Sequence, residues 1–258
     1  MKWKSHTSIA RAIAQELALP EELERALCAG SVEPDRRPDA AYRETRAGVR
    51  IGRAPHHQPP TGTIMAYLWR SRRAYLQGND YWAVKSLGRA LHYVQDKSVS
   101  PGRRFRQHDR REEEVADVAP PREAVVEGIE RAVCSPYFVR ECVKAVRPLK
   151  RPEDIMYEAT LYSAAIFASV VGPPDAEEAF VRQYAQARRE HLLRWPVAGA
   201  IAGAAAAASL LAAQPLLVLP GAAGAAALVR LDLDYYHLRR EAEWFMLDER
   251  PPRHQRFY

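Results

Sequence analysis

Leu91-His92-Tyr93-Val94-Gln95-Asp96 is the stretch around which the chain is organised. It sits late in a segment carrying Trp82, Leu87 and Leu91, which reads as helix from about Asn79 onward. His92 and Asp96 are four residues apart, so a helix stacks both on one face, one turn from each other. Beyond a short basic loop, His108 and Glu112 repeat the arrangement of imidazole and carboxylate. A single pair of this kind is usually a salt-bridged surface residue. Two pairs make a cage suited to a hard or borderline cation such as zinc.

Working outward, Thr7 or Ser8 is positioned to cap a first helix running to about Leu19. Pro20, Glu21 and Glu22 open a second that ends at Gly30. The stretch Gly30-Ser31-Val32-Glu33-Pro34-Asp35 reads as a turn-rich loop, and no strand pattern follows it. His56 and His57 precede Gln58-Pro59-Pro60 and are expected on an ordered loop. Thr61 starts a helix that Gly78 closes. Further helices are expected over 112–119, 122–133 and 137–146, from Pro152 to Phe167, and from Pro174-Asp175 toward Arg194. Sustained apolar–polar alternation is absent, so the fold class is all-α, a multi-helix bundle.

From Pro196 to Val229 no ionisable side chain occurs. One straight helix of that length would measure about 50 Å, well beyond the roughly 30 Å of a bilayer core. Gln214, Pro215, Pro220 and Gly221 instead predict two short apolar helices joined by a turn. Arg188, Arg189 and Arg194 precede it and Arg230, Arg239 and Arg240 follow, so both ends are expected on the cytoplasmic face. The sequence thus divides into a helical domain over 1–194, an apolar, membrane-associated hairpin over 195–230, and an amphipathic C-terminal helix and tail over 231–258. The formal net charge of +6 suits an anionic partner: a phospholipid headgroup, a membrane surface or a nucleic acid. Hydrophobic residues at 47% exclude a disordered chain. Cys28, Cys134 and Cys142 are scattered and odd in number, which fits core thiols in a reducing compartment. The opening Met1-Lys2-Trp3-Lys4-Ser5-His6 turns polar at once, without the apolar core of a secretory signal.

The candidate metal ligands in order are His6, Asp35, His56 or His57, His92, Asp96, His108 and Glu112. This order resembles the zinc-dependent phospholipase C family, which includes the clostridial alpha-toxin and is related to the fungal zinc single-strand nucleases. The matching pieces are the Gly30–Asp35 stretch, a downstream His, His92-Tyr93-Val94-Gln95-Asp96, and His108 with Glu112, within about the first 115 residues. The resemblance implies an all-helical fold with a three-zinc site that cleaves phosphodiesters. It would put Asp35, His57 (or His56), His92 and Asp96 on one zinc and His108 with Glu112 on a second. Asp96 would bridge to a third ion that also takes His6. Two features depart from the family. Gly102 stands where a further histidine is expected, and Trp3 is internal where the family uses an N-terminal Trp. Two zinc ions rather than three is therefore the alternative.

The chemistry is coherent on the residues alone. A phosphodiester needs an activated water and screening of phosphate charge, which bound zinc supplies. Asp35 would ligate a metal or act as general base. Arg103 and Arg104 lead a basic run, with Arg106, Arg110 and Arg111, that could meet a phosphate bidentately. No nucleophile elbow, Walker loop or dinucleotide-binding fingerprint is present. The expected function is a zinc-dependent, phospholipase C-like phosphodiester hydrolase acting on a phospholipid at a membrane. The alternatives are a zinc nuclease and a catalytically degenerate metal-binding membrane scaffold.

Overall fold

A computed structural model describes residues 1–45, 48–53, 60–101 and 105–247, except the side chains of 41–51, 53, 105–108 and 217. The fold class of the chain is all-α, as the sequence predicts. Its helices are α1 (Trp3–Glu16), α2 (Glu21–Arg36), α3 (Thr61–Leu76), α4 (Asp80–Ser98), α5 (Phe105–Ala116), α6 (Arg122–Glu130), α7 (Pro136–Ala145), α8 (Pro152–Val170), α9 (Glu178–Leu211), α10 (Val218–Arg230) and α11 (Leu233–Trp244). Two compact units divide the chain, Met1–Pro174 and Asp175–Tyr258. The division expected at 194/195 falls inside α9.

In the first unit α4 is the central helix, packed against α2, α3 and α8. Every residue from Ala90 to Asp96 is buried, so this part of α4 is covered on all sides rather than along one stripe. Leu27, Leu68, Leu87, Leu91, Ile155 and Phe167 fill the surrounding core. Gly78, at φ +72°, ends the preceding helical segment in the left-handed conformation that glycine adopts without penalty.

Besides the cap expected at Thr7 or Ser8, which lie inside α1 rather than before it, two local expectations fail. The stretch from Gly30 to Asp35 is not a loop, because α2 continues through Gly30 and Pro34 to Arg36. Gly30 is there for close approach. A Cβ on it would lie 2.1 Å from the Lys85 carbonyl oxygen, and one on Gly88 would lie 2.4 Å from that of Leu27. The two helices cross in backbone contact, and this packing carries α2 past its glycine. The second correction is a short antiparallel hairpin, β1 (Ala40–Thr45) with β2 (Gly48–Arg53), Ala40 opposite Arg53 and Thr45 opposite Gly48. In β2 Val49 and Ile51 flank Arg50, a period-two signal too short to stand out from the basic connection around it.

In the second unit α9 is one helix of 34 residues that runs straight through Pro196. The Ala-rich run 204–208 after it has the highest helix propensity available and sustains the helix past the missing N–H. A turn with Ala213 at φ 51° and a 3-10 turn, Pro215–Leu217, lead into α10, which packs on α9. Pro220 and Gly221 lie inside α10, not at a break. A Cβ on Gly221 would meet that of Ala205 at 2.1 Å, a small-residue seam of the kind that lets two helices touch. At the other end, Tyr184, Tyr235 and Ala242 form a core between α9 and α11. Asp232 accepts from His191 at 2.8 Å and pairs with Arg194 at 3.3 Å. Among the described residues, α9 is the one helix long and apolar enough to cross a membrane.

Candidate metal centre

Three helices of the first unit bring the site together. His6 lies at the end of the first turn of α1, Asp35 at the end of α2, and His92 with Asp96 in the buried half of α4. The glycine crossing of α2 and α4 sets their relation. One residue after Gly30, the Ser31 carbonyl reaches His92, whose Nδ1–H donates to it at 2.9 Å. His6 Nδ1 lies 2.6 Å from Gln95 Oε1, and the Gln95 amide nitrogen donates to Ser163 Oγ at 3.1 Å, so the amide oxygen faces the ring as acceptor. With both Nδ1 atoms held as donors, both Nε2 atoms face inward. Metal-bound histidines are oriented in this way.

The inward-facing atoms converge. His6 Nε2 is 3.3 Å from Asp96 Oδ1, and His92 Nε2 is 3.3 Å from Asp96 Oδ2 and 3.7 Å from Asp35 Oδ1. The two rings are 4.3 Å apart, centroid to centroid. Ligand atoms of His6, Asp35 and His92 all lie within 4.8 Å of one another. A tetrahedral zinc with arms of about 2.1 Å holds its ligand atoms about 3.4 Å apart. The set fits such an ion after small inward shifts. Among the described residues, buried His6 Nε2 has no hydrogen bond of good geometry, although Asp96 Oδ1 lies 3.3 Å away. An orphaned buried acceptor is costly, and a cation would satisfy it.

The charges are arranged unevenly. Burial lowers the His6 pKa and the charge of His92 lowers it further, which keeps His6 neutral. Burial also works against charge on His92, but Asp96 and then Asp35 outweigh it and raise its pKa. For Asp96, burial is overcome by the Met1 ammonium and by His92 and His6, and the carboxyl is held well below the usual range. The Met1 ammonium binds Asp96 and, at 2.8 Å, Glu112 Oε1. It is disfavoured by burial, yet raised in pKa by these two carboxylates.

The remaining expected residues fall in different places. Glu112, on α5, reaches the Met1 ammonium and lies 3.9 Å from Lys2 Nζ, so it borders the cluster through the amine. His108 belongs to α5, with its side chain outside the described residues, as is that of Arg106. His56, His57, Gly102, Arg103 and Arg104 also lie outside them. Arg111 donates to the Ser100 carbonyl at 3.0 Å, and Arg110 pairs with Glu114 on the surface. Trp3 turns its ring outward under the Arg36 guanidinium, 4.5 Å away. Sequence reasoning missed the roles of Ser31, Gln95 and the Met1 amine. Gln95 stood within the key stretch, but only its partner across 89 residues gives it a function. Compared with family models, with curated proteins and with solved structures, the chain finds no match in any of the three.

Proposed function

We propose that this chain is a zinc-dependent phosphodiester hydrolase with a phospholipase C-like centre, held at a membrane surface by its apolar hairpin. The observation that carries the reading is the convergence of His6, Asp35 and His92 from three helices, with their ligand atoms within 4.8 Å of one another. Zinc at these residues would supply a Lewis acid and a bound water that ionises near neutral pH.

The chain's own groups divide the remaining work. Ser31 and Gln95 hold the ring N–H groups so that both Nε2 atoms stay aimed at the cluster. Asp96 provides a buried negative charge that lowers the cost of placing a cation among apolar helices. Asp35 is the exposed member, so a phosphodiester and water would approach from its side. Exposed Leu210, Leu211, Leu216 and Leu219 near the hairpin turn support the membrane part of the reading. Arg188, Arg189, Arg194 and Arg230 flank the apolar run and suit anionic headgroups.

Metal analysis of the purified protein should find zinc, and hydrolysis of a chromogenic phosphodiester should stop on chelation and return with zinc. Asp35→Asn, at an exposed position, should fold normally and lose both tight zinc binding and turnover. Protein that takes up no zinc and shows no chelator-sensitive hydrolysis would overturn the reading.

A further inference from the structure

Toward the start of α4, away from the histidines, a cleft of about 290 Å³ is lined by residues of α2, α3 and α4. Trp82, Lys85 and Arg89 present one face of α4 to it, Tyr67 and Arg70 come from α3, and Glu33 from α2. Among the described residues, three cations line it against one carboxylate.

The cations are not equivalent. Arg89 is fixed from behind, its Nε and Nη2 donating to Asp39 at 3.1 and 2.6 Å and its Nη2 also to the Arg37 carbonyl at 2.9 Å. Asp39 in turn accepts from Tyr67 and Tyr93, so its oxygens are occupied within the fold. Glu33 is shared loosely, 3.4 Å from Arg89 and 3.9 Å from Lys85, both beyond a good charge-assisted hydrogen bond. Arg70 makes no ion pair among the described residues and lies 5.1 Å over the Tyr67 ring. Arg89 lies over the same ring at 5.2 Å, and Lys85 over that of Trp82 at 5.2 Å. The aromatic faces that would attract a quaternary ammonium are therefore already taken by the chain's own cations. An organic cation is disfavoured here, and an anion is matched by Arg70 and Lys85.

We propose that this cleft binds the phosphate of a phosphorylated ligand between Arg70 and Lys85, with Trp82 as its flat wall. The site stands independently of the zinc reading, because none of its residues belongs to the metal cluster. The phosphate could come from a soluble phosphate ester or from a lipid headgroup, and the two sources share this chemistry.

Metal-stripped, desalted protein is titrated with inorganic pyrophosphate, with glycerol phosphate and with short-chain phosphatidic acid below its micelle concentration. Binding is followed by calorimetry and by tryptophan fluorescence. Saturable binding is expected, with a signal lost in Trp82→Phe. In the double variant Arg70→Ala/Lys85→Ala, affinity should fall about tenfold or more, since charge-assisted contacts are lost. Circular dichroism checks that this surface variant is folded. Asp35→Asn should leave binding unchanged, which separates the cleft from the metal centre. Tighter binding of phosphatidic acid than of glycerol phosphate would assign the lipid as the source, and the reverse order the soluble ester. No saturable binding up to about 10 mM, equal binding by the double variant, or loss confined to Asp35→Asn overturns the proposal.

Discussion

Replacing Gly30 with alanine tests the contact that builds the candidate metal centre. The new Cβ would sit 2.1 Å from the Lys85 carbonyl oxygen, 3.0 Å from the Lys85 carbonyl carbon and 3.2 Å from the Arg89 nitrogen. These are backbone atoms of a buried helix and cannot rotate away. Restoring ordinary contact requires α2 to retreat from α4 by at least about 1 Å. Overpacking of this kind costs about 1–3 kcal/mol. Removing a glycine from a helix interior returns about 0.5–1 kcal/mol, and because the 2.1 Å backbone clash puts the cost at the top of its range the net is a loss of about 2 kcal/mol. The same retreat would stretch the 2.9 Å contact between Ser31 and His92 beyond hydrogen bonding and draw Asp35 away from His92. Zinc affinity should then fall by about ten- to a hundredfold, the usual effect of losing a partner that orients a ligand. Urea unfolding followed by circular dichroism measures the first effect, and competition with a colorimetric chelator the second. Gly62→Ala is the control, since a Cβ there meets nothing within 4 Å. A Gly30→Ala protein as stable as the Gly62→Ala control, with unchanged zinc affinity, would refute the reasoning.

Three further predictions concern other parts of the chain. Arg72 is fully buried and donates to the carbonyls of Val170, Gly172 and Pro173 at 3.0, 2.9 and 2.6 Å, closing the C-terminus of α8. Arg72→Met should cost about 3 kcal/mol in urea unfolding, and no loss would mean these carbonyls are satisfied without it. Burial alone would raise the Asp39 pKa, but hydrogen bonds from Arg89, Tyr67 and Tyr93 bring it below the usual value. A depressed carboxyl stabilises the fold above its unfolded pKa of about 3.9 and loses that contribution as pH falls through the folded value. Urea midpoints measured downward from about pH 6 should therefore drop less steeply below about pH 4 in Asp39→Asn than in wild type. Equal slopes would remove Asp39 from the account. Finally, the protein should float with anionic vesicles, and Leu211→Asp/Leu216→Asp at the exposed hairpin turn should leave it in the soluble fraction. Wild-type protein that stays at the bottom of the gradient would end the membrane reading.

Much of the helical pattern was legible because it depends on neighbours. Pro152 followed by Glu153 and Asp154 marks the start of α8, and Gly78 marks the end of the α3 segment. The spacing of His92 and Asp96 put them on one face of α4 before any packing was known. The same reading failed at Gly30, where a glycine looks like a helix end unless a second helix is seen crossing over it. It failed too at Pro220, which lies inside α10 rather than at a break.

By itself the sequence determined the all-α class and the candidate ligand types, because helix periodicity and capping act over three or four residues. Only the tertiary structure decided which of those candidates meet. It placed His6 beside Asp96 and His92, aimed both Nε2 atoms inward through Ser31 and Gln95, and buried the Met1 ammonium against Asp96 and Glu112. The physical reason is separation along the chain. These contacts join residues 61 to 111 positions apart, and their existence rests on a backbone crossing whose fit no local pattern records.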